Sequence, residues 1–469
     1  MKVCFYARAG QTKLFAKMGL YLISKEIDCF FVCQDLSEEK KVKLLYQDAK
    51  TYVLTEFLRK NWDEFDIECL AELQHTYPHV NLWEAFYTDR VLINYSYEEA
   101  IKFLIGHIRF YEMVFNIEKP QVFYNEAIAL FSAYAAYLVG IKYDVRYTGF
   151  IVSRDLPFEK YFLHHDPYQT NDMMISLFQK GDFNEYEIHE AKEYIDSYRR
   201  GEVDRTHRQV YEVGYKFKSR YLRQIGFFIK ELFDLRNYDR INYLYYRRNI
   251  KLRIDLIKTY IRAFRQKKYF EEPCEGEQYY FYPLHYQPEA STLVCAKKYE
   301  KQLFLIDQLA KSIPIDSLLY VKEHYVYLGH KPTQFYKSLK GYPNVRLINP
   351  LASTHELIKK SRAVITLTGT VGFESLALGI PVFVLGNVFY DFFPNVVKIQ
   401  DVFNQKERFI EPEAIDEQNL VRFICAYRKS MINGCAHAKS SLFESDINAK
   451  IMAEALLADE ASKHSSMIR

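Results

Sequence analysis

The chain has 469 residues, 49% hydrophobic and 26% charged, with a formal net charge of +3. That length exceeds what one ordinary core serves, so two domains are expected, and the apolar content excludes a disordered chain. A charge balance so near zero gives no case for a nucleic-acid binder, and eight scattered cysteines with no CxxC pair exclude a disulfide framework or a zinc site.

The start, Met1–Gly10, reads as a short strand entering a turn and lacks the apolar core of a signal peptide. No stretch approaches 18 consecutive apolar residues, so a spanning helix is not expected. A cytoplasmic protein follows as the expectation, with a peripheral contact at the inner membrane considered below.

Residues 1–180 alternate strand and helix patterns. Strands are expected at Val3–Ala7, Ile27–Cys33, Thr51–Leu54 and Gln121–Tyr124, with helical spacing over Leu14–Ser24 and Ala127–Val139. Gly140 reads as a helix cap, and Ile141–Tyr143 as the opening of a fifth strand. Such alternation implies a parallel, Rossmann-like sheet. Glu126 follows the fourth strand directly and is a candidate general base, although an acid at a helix start would look the same. Arg154, Asp155, His164, His165 and Asp166 form a polar group after the fifth strand. Arg154 is a candidate for contacting a sugar or an acceptor. A metal at His164–Asp166 is not expected, because no further ligand stands at a suitable spacing. Asp63–Asp66 reads as a solvated face.

Residues 181–275 break the pattern. Between Arg199 and Lys268 there are 20 Lys/Arg against 7 Asp/Glu, interleaved with aromatics such as Tyr211, Tyr215, Phe217, Tyr243, Tyr245 and Tyr246. This reads as a basic helical insertion or linker. Lys and Arg near anionic lipid contribute roughly 1 kcal/mol each, and Tyr and Phe suit the headgroup level, so a membrane-surface contact is one reading. A solvated helical hairpin is another, and RNA binding, which basic-aromatic mixtures also allow, is a third, although no RNA-binding motif stands there.

Residues 276–440 resume the α/β pattern, with strands expected at Tyr279–Pro283, Ser317–Val321, Val345–Ile348, Ala363–Leu367 and Pro381–Leu385. Residues 441–469 form a helical tail; helical character is expected from Asn419 to Leu457, packing back on the first domain.

The sharpest motif is Thr366–Val382. A buried strand ends in Thr and Gly, a helix starts near Thr370, and Gly379-Ile380-Pro381 leads into another strand. Small residues let a phosphate approach the backbone, and the helix N-terminus offers free N–H groups with a partial positive charge. Thr368, Gly369 and Thr370 are therefore candidate nucleotide contacts, with Glu374 one turn on as a ribose ligand. Lys322 and His324 follow the strand ending at Val321, at the sheet edge where open α/β folds bind ligands, and suit a leaving-group phosphate. Tyr282–Thr292 carries two prolines that hold it extended, so that His285, Gln287 and Glu289 are expected to project towards a cleft and the donor sugar.

Taken together, Tyr282–Thr292, Val321–Tyr336 and Thr366–Tyr390 resemble the capsular polysaccharide biosynthesis family, which includes bacterial Kdo transferases of capsule assembly; the likeness is more diffuse over Gln121–Tyr143. The resemblance implies a GT-B fold, two Rossmann-like domains facing a cleft. It implies a metal-independent glycosyltransferase moving a 3-deoxy-ulosonic acid, Kdo or a nonulosonate, from a CMP-activated donor onto a surface polysaccharide or lipid-linked glycan. No cofactor is implied beyond the donor nucleotide sugar. By that resemblance His324 contacts the CMP phosphate and acts catalytically, Thr368 and Thr370 hold the phosphate, Glu374 binds the ribose, and Glu126 is a cleft acid. Many relatives have His-Pro after Lys-Glu, whereas this chain has His324-Tyr325. The alternatives are a UDP-sugar-dependent transferase, a 2-epimerase-like enzyme, or a non-catalytic capsule-assembly scaffold.

Overall fold

A computed structural model of the chain describes residues 1–154, 159–202, 233–234, 238–246, 258–259, 261–438 and 440–467. The chain forms two compact α/β units. The first comprises Met1–Asp172, Asp239–Tyr246 and Ser430–Arg469; the second comprises Met173–Tyr238 and Arg247–Lys429.

The first unit is built on β1 (Lys2–Ala7), β2 (Asp28–Cys33), β3 (Lys50–Val53), β4 (Val122–Tyr124), β5 (Arg146–Val152), β6 (Lys160–His164) and, from far along the chain, β13 (Ile432–Asn433). Their order is β13-β6-β5-β4-β1-β2-β3. The five strands β1 to β5 pair in parallel, and β6 and β13 add antiparallel. The chain direction across the sheet reverses between β1 and β4, so the ends of these strands, at Arg8 and Asn125–Glu126, lie at the topological switch point. From Val3 to Ala7 β1 is fully buried, as a central strand covered on both faces must be.

Two expectations about this unit are corrected. Gly140 does not end its helix, which runs from Phe131 to Tyr143, so Ile141–Tyr143 are helical and β5 starts at Arg146. The left-handed residue that closes the helix is Asp144, at φ 53°. Gly140 is there for space: a Cβ on it would stand 2.6 Å from the carbonyl oxygen of Val145. The expected tail helix from Asn419 is instead two helices, Glu417–Ser430 and Asp446–Met467, separated by β13. The second of these packs on helix Thr12–Ile23, where Met452, Ala453 and Leu456 join Leu14, Met18 and Leu22 in one core.

Asp239–Tyr246 falls inside the stretch read as a basic insertion, yet it is built into the first unit. Asn242 Nδ2 donates to Asp35 Oδ2 at 2.8 Å, Asp239 pairs with Arg59 at 2.8 Å, and the Tyr245 hydroxyl donates to Glu38 at 3.0 Å. Tyr243 is fully buried against Phe103 and His107. Here the aromatic pattern is internal packing, so Tyr243 offers nothing to a lipid surface. Most of the rest of Arg199–Lys268 lies outside the described residues.

The second unit contains β7 (Tyr279–Pro283), β8 (Leu318–Lys322), β9 (Val345–Ile348), β10 (Ala363–Thr366), β11 (Val382–Val384) and β12 (Val396–Lys398), in the order β12-β11-β10-β7-β8-β9 with every pairing parallel. Tyr280, Tyr282, Leu319, Val321 and Ile365 face one core layer; Tyr279, Phe281, Tyr320 and Val364 face the other. Two Rossmann-like α/β units in one chain, the first with two antiparallel edge strands, make this a GT-B-like α/β architecture.

Candidate functional site

Three neighbouring strand ends of the second unit carry most of the candidate residues. The register pairs Pro283 of β7 with Lys322 of β8, and Val364 of β10 with Phe281 of β7. The residues after β7, β8 and β10 are thus brought to one carboxyl edge, where open parallel sheets take ligands.

After β10 the chain turns through Leu367–Gly369 into helix Thr370–Ala377. Gly369 is the N-cap, and its N–H donates to Thr366 Oγ1 at 3.0 Å. The Thr368 hydroxyl donates to the Ser291 carbonyl at 3.0 Å, and its amide donates to His285 Nε2 at 3.3 Å. Thr368 is therefore spent within the turn on both groups. What remains at the helix start is the Thr370 side chain with the amides of Thr370 and Val371, where the helix dipole favours an anion. Glu374 is half-buried on the next turn. Gly379 takes the left-handed conformation that ends the helix, at φ 77°.

His285 does not project outward as expected: it is 9% exposed and lies under the turn, its Nε2 within 3.3 Å of both Thr366 Oγ1 and the Thr368 amide. Burial, followed by the charges of Lys331 and His324, pushes its pKa down to about 3, so the ring is neutral. Gln287 is likewise turned inward, donating to the Glu300 carbonyl and accepting from Gln302 at 2.6 Å. Glu289 is exposed and accepts from the Ser291 hydroxyl at 3.2 Å.

At the end of β8, strand alternation sends consecutive side chains to opposite faces. Lys322 is buried, its Nζ 2.7 Å from Thr354 Oγ1. Glu323 is buried on the other side, where it accepts from Tyr336 at 2.6 Å and pairs with buried Lys331 at 3.1 Å. One Glu323 oxygen also accepts the His324 amide at 2.8 Å. His324 is left exposed, stacked on Tyr325 at 4.8 Å between ring centres. Desolvation by the surrounding chain, then the charges of Lys322 and Lys331, depress its pKa to about 4.

The remaining candidates lie in the first unit. Glu126 accepts from Arg8 at one oxygen and from Gln11 at the other, and its backbone carbonyl accepts the Tyr147 hydroxyl. It precedes a loop, since the next helix starts only at Phe131. The turn that brings Arg8 and Gln11 there includes Ala9 in the left-handed region, at φ 51°. Arg154 follows β5 and is half-buried. His164 is buried with its pKa lowered to about 4, chiefly by burial, and Gly149 leaves room for its ring. His165 turns to Asp459 at 3.5 Å. Among the described residues no three His, Cys, Asp or Glu side chains are grouped as a metal site.

Sequence reasoning passed over Gln302, Lys331 and Tyr336 as individual groups. Gln302 is 2% exposed and holds the His285 backbone from both sides, accepting its N–H at 2.8 Å and donating to its carbonyl at 3.0 Å. A glutamine at a helix start carries no motif, and only its burial reveals it.

Comparison with known proteins adds the following. No curated protein matches the chain. Among solved structures, the beta Kdo 2,7 transferase of Thermosulfurimonas dismutans KpsC is 14% identical, with 75% of this chain and 89% of that chain covered and a TM-score of 0.39. The beta Kdo 2,4 transferase of the same KpsC is 12% identical over 71% and 88%, at a TM-score of 0.36. A UDP-GlcNAc 2-epimerase from Neisseria meningitidis is 15% identical over 98% and 100%, at 0.24. Residues 234–394, which include every second-unit site residue described above, match the family described as capsule polysaccharide biosynthesis protein, and the chain resembles that family.

Proposed function

We propose that the chain is a glycosyltransferase of capsule polysaccharide assembly that transfers a 3-deoxy-ulosonic acid, Kdo or a nonulosonate, from its CMP-activated donor to a glycan or lipid-linked glycan. The observation that carries this reading is the free helix start at Thr370–Val371 on the same sheet edge as His324 and within the segment that matches the family. The anionic leaving group sits on the Thr370 and Val371 amides and the Thr370 hydroxyl. His324 donates a hydrogen bond to it, and Glu374 accepts from the ribose hydroxyls. Fixed donors aimed at charge that develops on departure act as an oxyanion hole does, with a contribution of several kcal/mol. Glu126 of the first unit is the proposed base for the acceptor hydroxyl. Arg154 contacts sugar or acceptor. The scheme uses no metal ion. Peripheral contact with the inner membrane through the basic stretch is part of the proposal, and co-sedimentation with anionic vesicles tests it.

Calorimetric titration with CMP and with UDP, followed by transfer assays with CMP-Kdo, tests the reading. CMP is expected to bind, and Glu374→Ala and Thr370→Ala to weaken it by about tenfold or more. Preference for UDP overturns the donor, and CMP binding untouched by both substitutions overturns the site.

A further inference from the structure

The turn after β10 has an internal support that the nucleotide reading does not itself require. Gly369 donates to Thr366 Oγ1. The Thr366 hydroxyl lies 3.3 Å from His285 Nε2, which also receives the Thr368 amide. A nitrogen that accepts from an amide carries no proton, so the ring proton is on Nδ1. Nδ1 is buried with no protein partner. The imidazole fills the space against the turn: a Cβ on Gly369 would stand 2.7 Å from Thr366 Oγ1 and 3.2 Å from His285 Nε2. Gln302 clamps the His285 backbone on both its N–H and its carbonyl, and its Oε1 also receives the Tyr282 hydroxyl at 3.1 Å. The linkage thus runs from helix Gln302–Ser312 through His285 to the turn.

We propose that His285 is a positioning residue: acting as a hydrogen-bond acceptor, it turns the Thr368 amide inward and so leaves the amides of Thr370 and Val371 as the anion-binding pair. This rests on the reading of the turn as the nucleotide site. It assigns His285 to the geometry of that site rather than to contact with the donor sugar. Both hydrogen-bonding groups of Thr368 are held by protein partners, the amide by His285 and the hydroxyl by the Ser291 carbonyl.

The test uses the full chain with His285→Ala, His285→Gln and His285→Asn, and two readouts. The first is hydrogen exchange of the Thr368 amide, resolved against its neighbours, without ligand. The second is the Kd for CMP. A glutamine carries its amide oxygen close to the position of Nε2, whereas asparagine reaches only the position of Nδ1. His285→Ala is expected to speed Thr368 exchange by about tenfold or more and to raise the Kd for CMP to a similar extent. His285→Gln is expected to return both to within about threefold of the starting protein, and His285→Asn to behave like His285→Ala. Unchanged exchange in His285→Ala, or rescue by Asn and not by Gln, overturns the assignment. If His285→Ala does not fold, the Gln and Asn pair decides on the same criterion. If the unsubstituted chain binds no CMP, the nucleotide reading fails, while the exchange data still decide whether His285 sets the turn.

Discussion

The Tyr390 hydroxyl donates to the carbonyl oxygen of Gly369 at 2.5 Å. It passes over the first turn of helix Thr370–Ala377 through space that a side chain on Gly372 would occupy, since a Cβ there would stand 2.8 Å from Tyr390 Cζ and closer still to its oxygen. Gly372 is at an ordinary helical position, so this is a requirement for room and not for a special φ. Gly372→Ala is expected to cost about 1–3 kcal/mol as overpacking, and Tyr390→Phe about 1 kcal/mol as a lost hydrogen bond. Because the two residues share one space, Gly372→Ala in a Tyr390→Ala background is expected to cost much less than it does alone. A double-mutant cycle by urea unfolding measures this coupling; additive effects refute it.

The motif around that helix was readable because each of its small residues has a local reason: Gly369 caps the helix, Gly379 takes a positive φ, and Pro381 leads into β11. What the sequence did not disclose were partners brought in from elsewhere in the chain. His285 looked like an outward ligand because two prolines suggested an extended loop, but Gln302, 17 residues on, turns it inward. Gly140 looked like a cap because glycine often is one, yet Asp144 takes that role and Gly140 yields to the Val145 carbonyl. Tyr243 looked like an interfacial aromatic because its charged neighbours are visible in sequence, whereas its contacts with Phe103 and His107 are not.

Glu323 and Lys331 form a buried pair, at 0% and 7% side-chain exposure. Burial lowers the Lys331 pKa, and Glu323 opposes that shift. Removing one partner strands the other, so Glu323→Leu is expected to cost about 3–5 kcal/mol, and Glu323→Leu with Lys331→Met to recover most of it. The double variant still lacks the acceptor for the His324 amide. Its CMP affinity is therefore expected to stay reduced after stability returns. Urea unfolding together with CMP titration separates the two effects; full recovery of both shows that Glu323 has no part in placing His324.

Glu126 has one oxygen taken by Arg8 and the other by Gln11. If it is the base, Glu126→Gln is expected to lower kcat by about 10²–10⁴ with the donor KM changed less than about threefold, as loss of a general base does. Glutamine keeps the shape but not the charge that faces Arg8, whose side chain is 14% exposed, so the melting temperature is expected to fall as well and kcat is compared on folded protein. An unchanged kcat in a transfer assay removes Glu126 from the chemistry and leaves it as the anchor of the Arg8–Gln11 turn.

His107 gives a prediction about pH that does not depend on any ligand. Its Nδ1 donates to the Phe103 carbonyl at 2.6 Å, and the ring is wholly buried among Phe103, Phe131 and Tyr243. Burial lowers its pKa from 6.5 to about 4, against a smaller raising effect of the Phe103 carbonyl. Between those values the unfolded chain binds a proton that the folded chain refuses, so stability rises with pH through this window and is lost as the pH falls from about 6.5 to about 4. The full loss is on the order of 3 kcal/mol for this one group. His107→Phe keeps an aromatic ring and removes the titration. Urea midpoints taken from pH 4.5 to 7 are therefore expected to fall less steeply in this variant than in the unsubstituted chain. Parallel pH dependences in the two proteins refute a neutral, buried His107 as a source of acid sensitivity.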